Sequence, residues 1–176
     1  MSRQLLQLDG IDERRAQWAT ELPGLDTRGM GTLGRMRLIT TMVRPPIERI
    51  FAAHDLDSGE FDVLATLLRS GPPYRLRPTE LYRSLMISSG GLTDRLGRLT
   101  KMGLVERAPS PGDGRSMLVV LTEAGRHLTE HAFRADMAME ANLISGLGNA
   151  DQERLAELLR KLLLSIEQCE TNSTTD

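Results

Sequence analysis

The sequence predicts a mainly α-helical fold carrying one small β-hairpin. Three observations predict it. Leucine-rich segments with a helical period run through most of the 176 residues. Two short Val- and Leu-rich runs flank a Pro-, Gly- and Asp-rich stretch past the middle of the chain. Arginines concentrate around those runs. Apolar residues make up 40% of the chain and charged residues 26%, the profile of a soluble globular protein. The longest uninterrupted apolar runs are only a few residues, as in Leu162-Leu163-Leu164, too short to span a membrane. Met1-Ser2-Arg3-Gln4 leads into no apolar stretch of secretory length, so a cytoplasmic location is expected. The single cysteine, Cys169, excludes an internal disulfide framework and a multi-cysteine zinc cluster.

In chain order, Leu8, Ile11 and Trp18 recur at helix-compatible spacing, and Pro23-Gly24 ends that segment. A second helical pattern runs from Met30 to His54 through Leu33, Met36, Leu38 and Ile50. Pro45-Pro46 should kink or break it, because each proline removes a donor and clashes one turn back. Asp57 caps a third helix, with Glu60 at the reciprocal capping-box position. Phe61, Leu64, Leu67 and Leu68 line its buried side, and Gly71 stops it. Pro78 opens a short helix through Leu81 and Leu85. Ser88 and Ser89 can cap the next helix, which runs from about Gly90 to Met102 and ends at Gly103.

Leu92, Leu96 and Leu99 form the core stripe of that helix. Stepping about 100° per residue puts Gly90, Asp94, Gly97, Arg98 and Lys101 on the opposite face and Arg95 on the flank. Two strands follow, Leu104 to Ala108 and Met117 to Leu121. Between them Pro109 to Arg115 reads as an extended loop with Arg115 at its basic tip. Thr122 caps a long helix reaching about Leu147, broken by Gly148-Asn149. Asp151 caps the last helix, and residues 171–176 read as a disordered polar tail. Leu155, Leu158, Leu159, Leu162, Leu163 and Ile166 keep a helical period in that last helix. They cover either the chain's own core or a partner.

The net charge of -2 conceals an uneven distribution. Between Arg69 and Arg126 ten Lys and Arg face five Asp and Glu, a balance of +5 that leaves -7 for the remainder. A helix, a short helix, a capped helix and a hairpin inside a basic block make a winged helix-turn-helix. The second helix of such a unit fits the major groove, and the hairpin tip can place an arginine in the adjacent minor groove. Ser88, Ser89, Gly90, Thr93, Asp94, Arg98, Lys101 and Arg115 are therefore the expected DNA contacts. The alternative is a solvated, Arg-rich face.

Several stretches resemble the MarR family of bacterial transcriptional regulators. They are Glu60-Phe61-Asp62-Val63-Leu64, Leu76-Arg77-Pro78-Thr79-Glu80-Leu81, Ser88 to Leu96, Gly103-Leu104-Val105-Glu106-Arg107, Asp113-Gly114-Arg115-Ser116 and Leu121 to Arg126. They fall in family order across roughly residues 30 to 168. One departure is Gly114, where many members carry a second arginine, which leaves Arg115 to make the wing's contact. The resemblance implies an intertwined helical homodimer whose two winged domains read a palindromic operator on double-stranded DNA. It divides the chain into an extra N-terminal helix and linker (1–28), a dimerisation helix (29–56), the winged domain (57–123), C-terminal dimerisation helices (124–170) and the tail (171–176).

Ala16-Gln17-Trp18-Ala19 with Pro23-Gly24-Leu25-Asp26 resembles the leading helix of the PecS-like, urate-responsive branch. By motif position that resemblance implies an effector site made of Trp18, Asp62, Arg95 and Arg107. An aromatic plane, a carboxylate and two guanidinium groups suit a small anionic, aromatic ligand. Asp62 has an alternative role in the first turn of its helix, where a carboxylate complements the macrodipole. Trp18 has one as a packing anchor.

His127 and His131 are four apart on one helix face, a metal-compatible spacing. With Glu130 and Cys169 they outline a metal- or redox-responsive variant, against which stands their reading as two surface histidines. The expectation is a ligand-released repressor that is not an enzyme, has no membrane partner and needs no cofactor. A dimeric ligand-binding module without DNA binding is the alternative. No nucleophile, base and metal set assembles in the sequence to support catalysis.

Overall fold

The computed structural model describes residues 8–85, 91–110 and 113–173. Helix α1 (Gly10–Glu21) begins at Asp9, whose side chain accepts from the backbone N–H of Ile11 and Asp12 while Asp12 reaches back to the Asp9 N–H. It lies along α2 (Arg28–Ala52). Ile11, the buried residue of α1, seats on Gly34, where a Cβ would come within 3.2 Å of the Ile11 methyl. Arg35 on α2 clasps both acids of the α1 start, Asp9 and Asp12, each at 2.7 Å. Hydrogen bonding to that guanidinium holds both carboxyls below the usual range.

Helix α2 runs unbroken through Pro45 and Pro46, where the sequence led us to expect a kink or a break. The carbonyls one turn earlier, on Thr41 and Met42, lose their intrahelical donors, but both residues are exposed and water can supply the bond. Helix α3 (Ser58–Arg69) starts at the expected capping box: the Glu60 N–H donates to Asp57 at 2.7 Å and the Asp57 N–H to Glu60 at 2.9 Å. Val63, Leu64 and Leu67 of α3 are fully buried. Phe61 stacks on Phe51 of α2 with ring centres 4.0 Å apart. This core extends to Leu81 of α4 (Pro78–Ser84), Leu96 and Leu99 of α5 (Leu92–Lys101), and Ala132 of α6 (Glu123–Leu143).

The sheet has three strands where the sequence led us to expect a two-stranded hairpin. Strand β1 (Arg75–Leu76) pairs antiparallel with β3 (Asp113–Leu121), which pairs in turn with β2 (Val105–Ser110). Two residues carry no alternation, so β1 exists only because β3 offers an edge beside it. The hairpin also differs from expectation. Pairing continues from Pro109 opposite Met117 to Ser110 opposite Asp113, through an irregularity, so the intervening loop is short.

The long helix α6 ends at Leu143, a turn earlier than expected, and α7 (Asn149–Ser173) continues into the segment expected to be a tail. Asp151 lies in the first turn of α7 and not at its cap. No described side chain of α7 is buried within this chain. Its leucine stripe therefore does not cover the chain's own core.

Candidate nucleic-acid interface

Helix α5 is oriented by its apolar stripe. Leu96 and Leu99 are buried and Leu92 is half-buried, which turns Thr93, Asp94, Gly97, Arg98 and Lys101 to solvent as the helical angles require. The helix begins at Leu92, two residues later than expected. Its N-cap is Gly91 in the left-handed region (φ 76°), with no side-chain cap from a serine. A glycine accepts that conformation without steric cost and turns the chain sharply into the helix. Ser88, Ser89 and Gly90 lie outside the described residues.

Two arginines of α5 dock on the start of α3. The Arg95 guanidinium lies over Gly59, where an added Cβ would stand 2.3 Å from Cζ, and its Nε is 4.0 Å from Asp57 Oδ1. Gly59 and Asp62 are three residues apart on one helix face, so Arg95 lies on the side of α3 where Asp62 is buried. Arg98 pairs with Glu60 at 3.1 Å and donates to the Asp55 carbonyl. Glu60 is only 2% exposed. One buried carboxylate thus closes the α3 capping box and holds the outer helix. The sequence carries a signal for the first role and none for the second.

Arg107 is exposed on β2 opposite Val119. Arg115 falls within β3, close to the hairpin end, and not in a loop beyond the strands. Trp18 is 46% exposed and lines a hollow of about 330 Å³ with Leu22, Leu25, Asp26, Thr27, Gly29 and Met30. Asp62, Arg95 and Arg107 do not line that hollow. The structure therefore brings Arg95 to the Asp62 side of α3 but leaves Trp18 against the α1–α2 turn. His127 pairs with Glu123 at 2.9 Å, and His131 meets His54 edge to face at 5.3 Å. Among the described residues, no three His, Cys, Asp or Glu side chains gather as a metal site would need.

Gly59→Ala tests the Arg95 dock. The new methyl meets the far end of a flexible side chain, and Ala gains about 1 kcal/mol of helix propensity over Gly. The thermal midpoint should stay within about 4 °C of the parent. A structure of the variant should show the Arg95 guanidinium displaced from α3. Finding it in place, or a much lower midpoint, contradicts the dock as described.

A buried-stripe helix with an exposed face rich in polar and basic groups, a short helix before it and a two-stranded wing after it define a winged-helix DNA-binding protein. A sequence profile of the MarR family matches residues 54–116. The HTH-type transcriptional regulator PecS of Dickeya dadantii (strain 3937) is 32% identical over 146 residues, covering 83% of this chain and 88% of that protein. The multiple antibiotic resistance protein MarR of Escherichia coli (strain K12) is 32% identical over 110 residues, covering 62% of this chain and 74% of that one. A crystal structure of a mutant MarR from E. coli complexed with operator DNA superposes with a TM-score of 0.64 at 26% identity, covering 83% of this chain and 97% of that one. The chain belongs to the MarR family: it is a DNA-binding transcriptional regulator and not an enzyme. Among the described residues, no helix is long and apolar enough to cross a membrane.

Proposed function

We propose that the chain is a repressor that binds a palindromic operator as a homodimer and is released by a small anionic, aromatic ligand. The outward face of α5 carries this reading: Thr93, Asp94, Arg98 and Lys101 stand in solvent on a helix locked by its leucines. Residues 57–123 form the DNA-binding part, with Ser88, Ser89 and Gly90 at the entry to the reading helix and Arg115 in the minor groove. Arg98 keeps donors beyond those held by Glu60 and Asp55, and these meet a phosphate or a base. The dimer is supported by α7, a helix of 25 residues with no buried described side chain.

The effector reading rests on Arg95 and Asp62. A ligand anion drawn to Arg95 competes with the acids at the α3 start for that guanidinium, so the pose of α5 on α3 changes. Such a ligand acts only through its differential affinity for the two poses, a coupling of about 1–3 kcal/mol. Trp18 and Arg107 complete the site through a rearrangement or through the partner copy.

Mobility shift against the region upstream of the gene is the test. The parent should bind there and release on titration with a panel of urate, salicylate-like acids and aromatic thioesters. Arg115→Ala should weaken binding and lower the magnitude of the salt slope by about one per wing. No binding to the upstream region would favour a ligand-binding module without a DNA role. An effector equally potent on Arg95→Ala and Asp62→Ala would place the ligand elsewhere.

A further inference from the structure

The outward face of α5 carries one acid, Asp94, among hydroxyl, glycine and basic groups. We propose that Asp94 reads a cytosine in the major groove and, through the same charge, weakens binding wherever that cytosine is absent. This rests on the DNA-binding reading above and deepens it by assigning the base that the contact selects.

An acid at the third position of a helix ordinarily serves its own cap. Asp12 in α1 accepts the Asp9 N–H at 3.3 Å, Glu60 in α3 the Asp57 N–H at 2.9 Å, and Glu80 in α4 the Arg77 N–H at 2.8 Å. All three caps are extended. Asp94 holds the same position in α5, but its cap is Gly91 in the left-handed region, and no capping box closes. A cation one turn on is the other usual partner, since residues four apart meet on a helix surface. Arg98 is already taken: it pairs with the buried Glu60 at 3.1 Å and donates to the Asp55 carbonyl. Arg95 is turned to Gly59 and Asp57 on α3. Asp94 is exposed and makes no hydrogen bond or ion pair among the described residues. Its carboxylate faces outward with its acceptor positions open.

The chemistry of the groove selects the base. The first turns of a reading helix are the part that meets base edges. An ionised carboxylate only accepts hydrogen bonds. Guanine and thymine offer acceptors in the major groove, and adenine sets its N7 acceptor beside the N6 donor. Cytosine presents its N4 amino group as a donor with no acceptor of its own beside it. The reach fits as well. Aspartate is short, and Gly97, three residues on along the same face, has open space at its Cβ position, so nothing there holds the helix off the groove floor. Away from a cytosine the carboxylate meets only the repulsion of a duplex carrying one negative charge per about 1.7 Å of axis. Attraction to one base pair combined with repulsion elsewhere is how an interface gains specificity at the expense of general affinity.

The experiment titrates the full-length protein, at fixed salt, against the operator fragment from upstream of its gene and an unrelated duplex of equal length. Each position of one half-site is changed in turn to the other three base pairs. The parent should favour cytosine at one position by roughly 5–150-fold. Asp94→Ala should abolish the preference at that position and bind the unrelated duplex more tightly than the parent does. Asp94→Asn should move the preference to adenine, because an amide pairs with adenine N6 and N7 together. Both variants should melt within about 4 °C of the parent, since the side chain is exposed and only its favourable place near the helix start is lost. Base preferences unchanged in both variants overturn the proposal. So does tighter binding to every duplex with the same preferences, which would make Asp94 a repulsive charge and not a reader. A parent that binds neither the fragment nor the unrelated duplex sinks the DNA-binding reading itself, a result distinct from these.

Discussion

Gly125→Ala is expected to lower the thermal midpoint by roughly 10 °C, a loss of about 3 kcal/mol or more for a chain of this length. Gly125 sits in the first turn of α6, where the wing hands the chain back to the helical part. A Cβ there would stand 2.1 Å from the Leu104 carbonyl oxygen, 2.9 Å from a Leu121 methyl and 3.0 Å from the Leu104 carbonyl carbon. Relief by a side-chain rotation is not open, because the principal obstacle is backbone. That carbonyl is itself held by the Thr122 N–H at 3.1 Å, and the Thr122 hydroxyl accepts the Gly125 N–H at 3.0 Å. The buried Thr129 hydroxyl donates to the Gly125 carbonyl at 2.6 Å, so α6 cannot slide outward cheaply. Ala's advantage in helix propensity is about 1 kcal/mol, so the expected net loss requires a cost of about 4 kcal/mol. That lies above the usual overpacking range of about 1–3 kcal/mol because the 2.1 Å obstacle is backbone that must itself move. Gly97→Ala is the control. Nothing lies within 4 Å of its Cβ position, so the same substitution should leave the melt unchanged or raise it slightly. Circular dichroism melts of the two variants settle the matter, and a Gly125→Ala midpoint equal to the parent's would show that the β2–α6 junction yields.

Some local chemistry was legible in the sequence, although the serine cap of α5 and the Asp151 cap of α7 did not form where they were expected. The Asp57–Glu60 capping box formed as expected because both residues belong to one helical turn, and the Leu92, Leu96, Leu99 period fixed which side of α5 faces solvent. Features that depend on a second segment were not legible. Strand β1 needs β3 beside it, and the pairing of Ser110 with Asp113 drew Arg115 into a strand despite the Pro, Gly and Asp around it. The second partner of Glu60 lies 38 residues away in α5, and no spacing rule connects Glu60 to Arg98. Gly34 offers a similar lesson. Nothing in the sequence singles it out, whereas in the fold it lets Ile11 approach and seats the leading helix. For the effector group, motif position named Asp62 in α3 and Arg95 on the flank of α5, and the structure sets Arg95 over Gly59 on the Asp62 side of α3. It could not register that Trp18, on a helix packed along α2, would line a hollow that Asp62, Arg95 and Arg107 do not share.

On the homodimer proposed above, Leu159→Glu combined with Leu163→Glu should yield a monomer at micromolar concentration and remove most of the operator affinity. The two positions are four apart on one face of α7, 40% and 57% exposed in the single chain. A helix of this length with its leucines in water has no reason to stay ordered unless something covers it. The proposed second copy would also cover the exposed Leu38, Ile39 and Met42 of α2 and Ile144 and Leu147 after α6. In a two-fold interface each substitution occurs twice. Burial of a leucine is worth about 1.5–3 kcal/mol, so four lost leucines with four added charges exceed what a micromolar dissociation constant, about 8 kcal/mol, can absorb. The winged domain should survive, because its core is built around Leu64, Leu67 and Leu99 and draws nothing from α7. Each half should then bind its half-site alone and lose the avidity of linkage, about 10²–10⁴-fold. Sedimentation together with operator titration separates the outcomes. A variant that remains dimeric with parental affinity would mean that this stripe of α7 is not the surface joining the two copies.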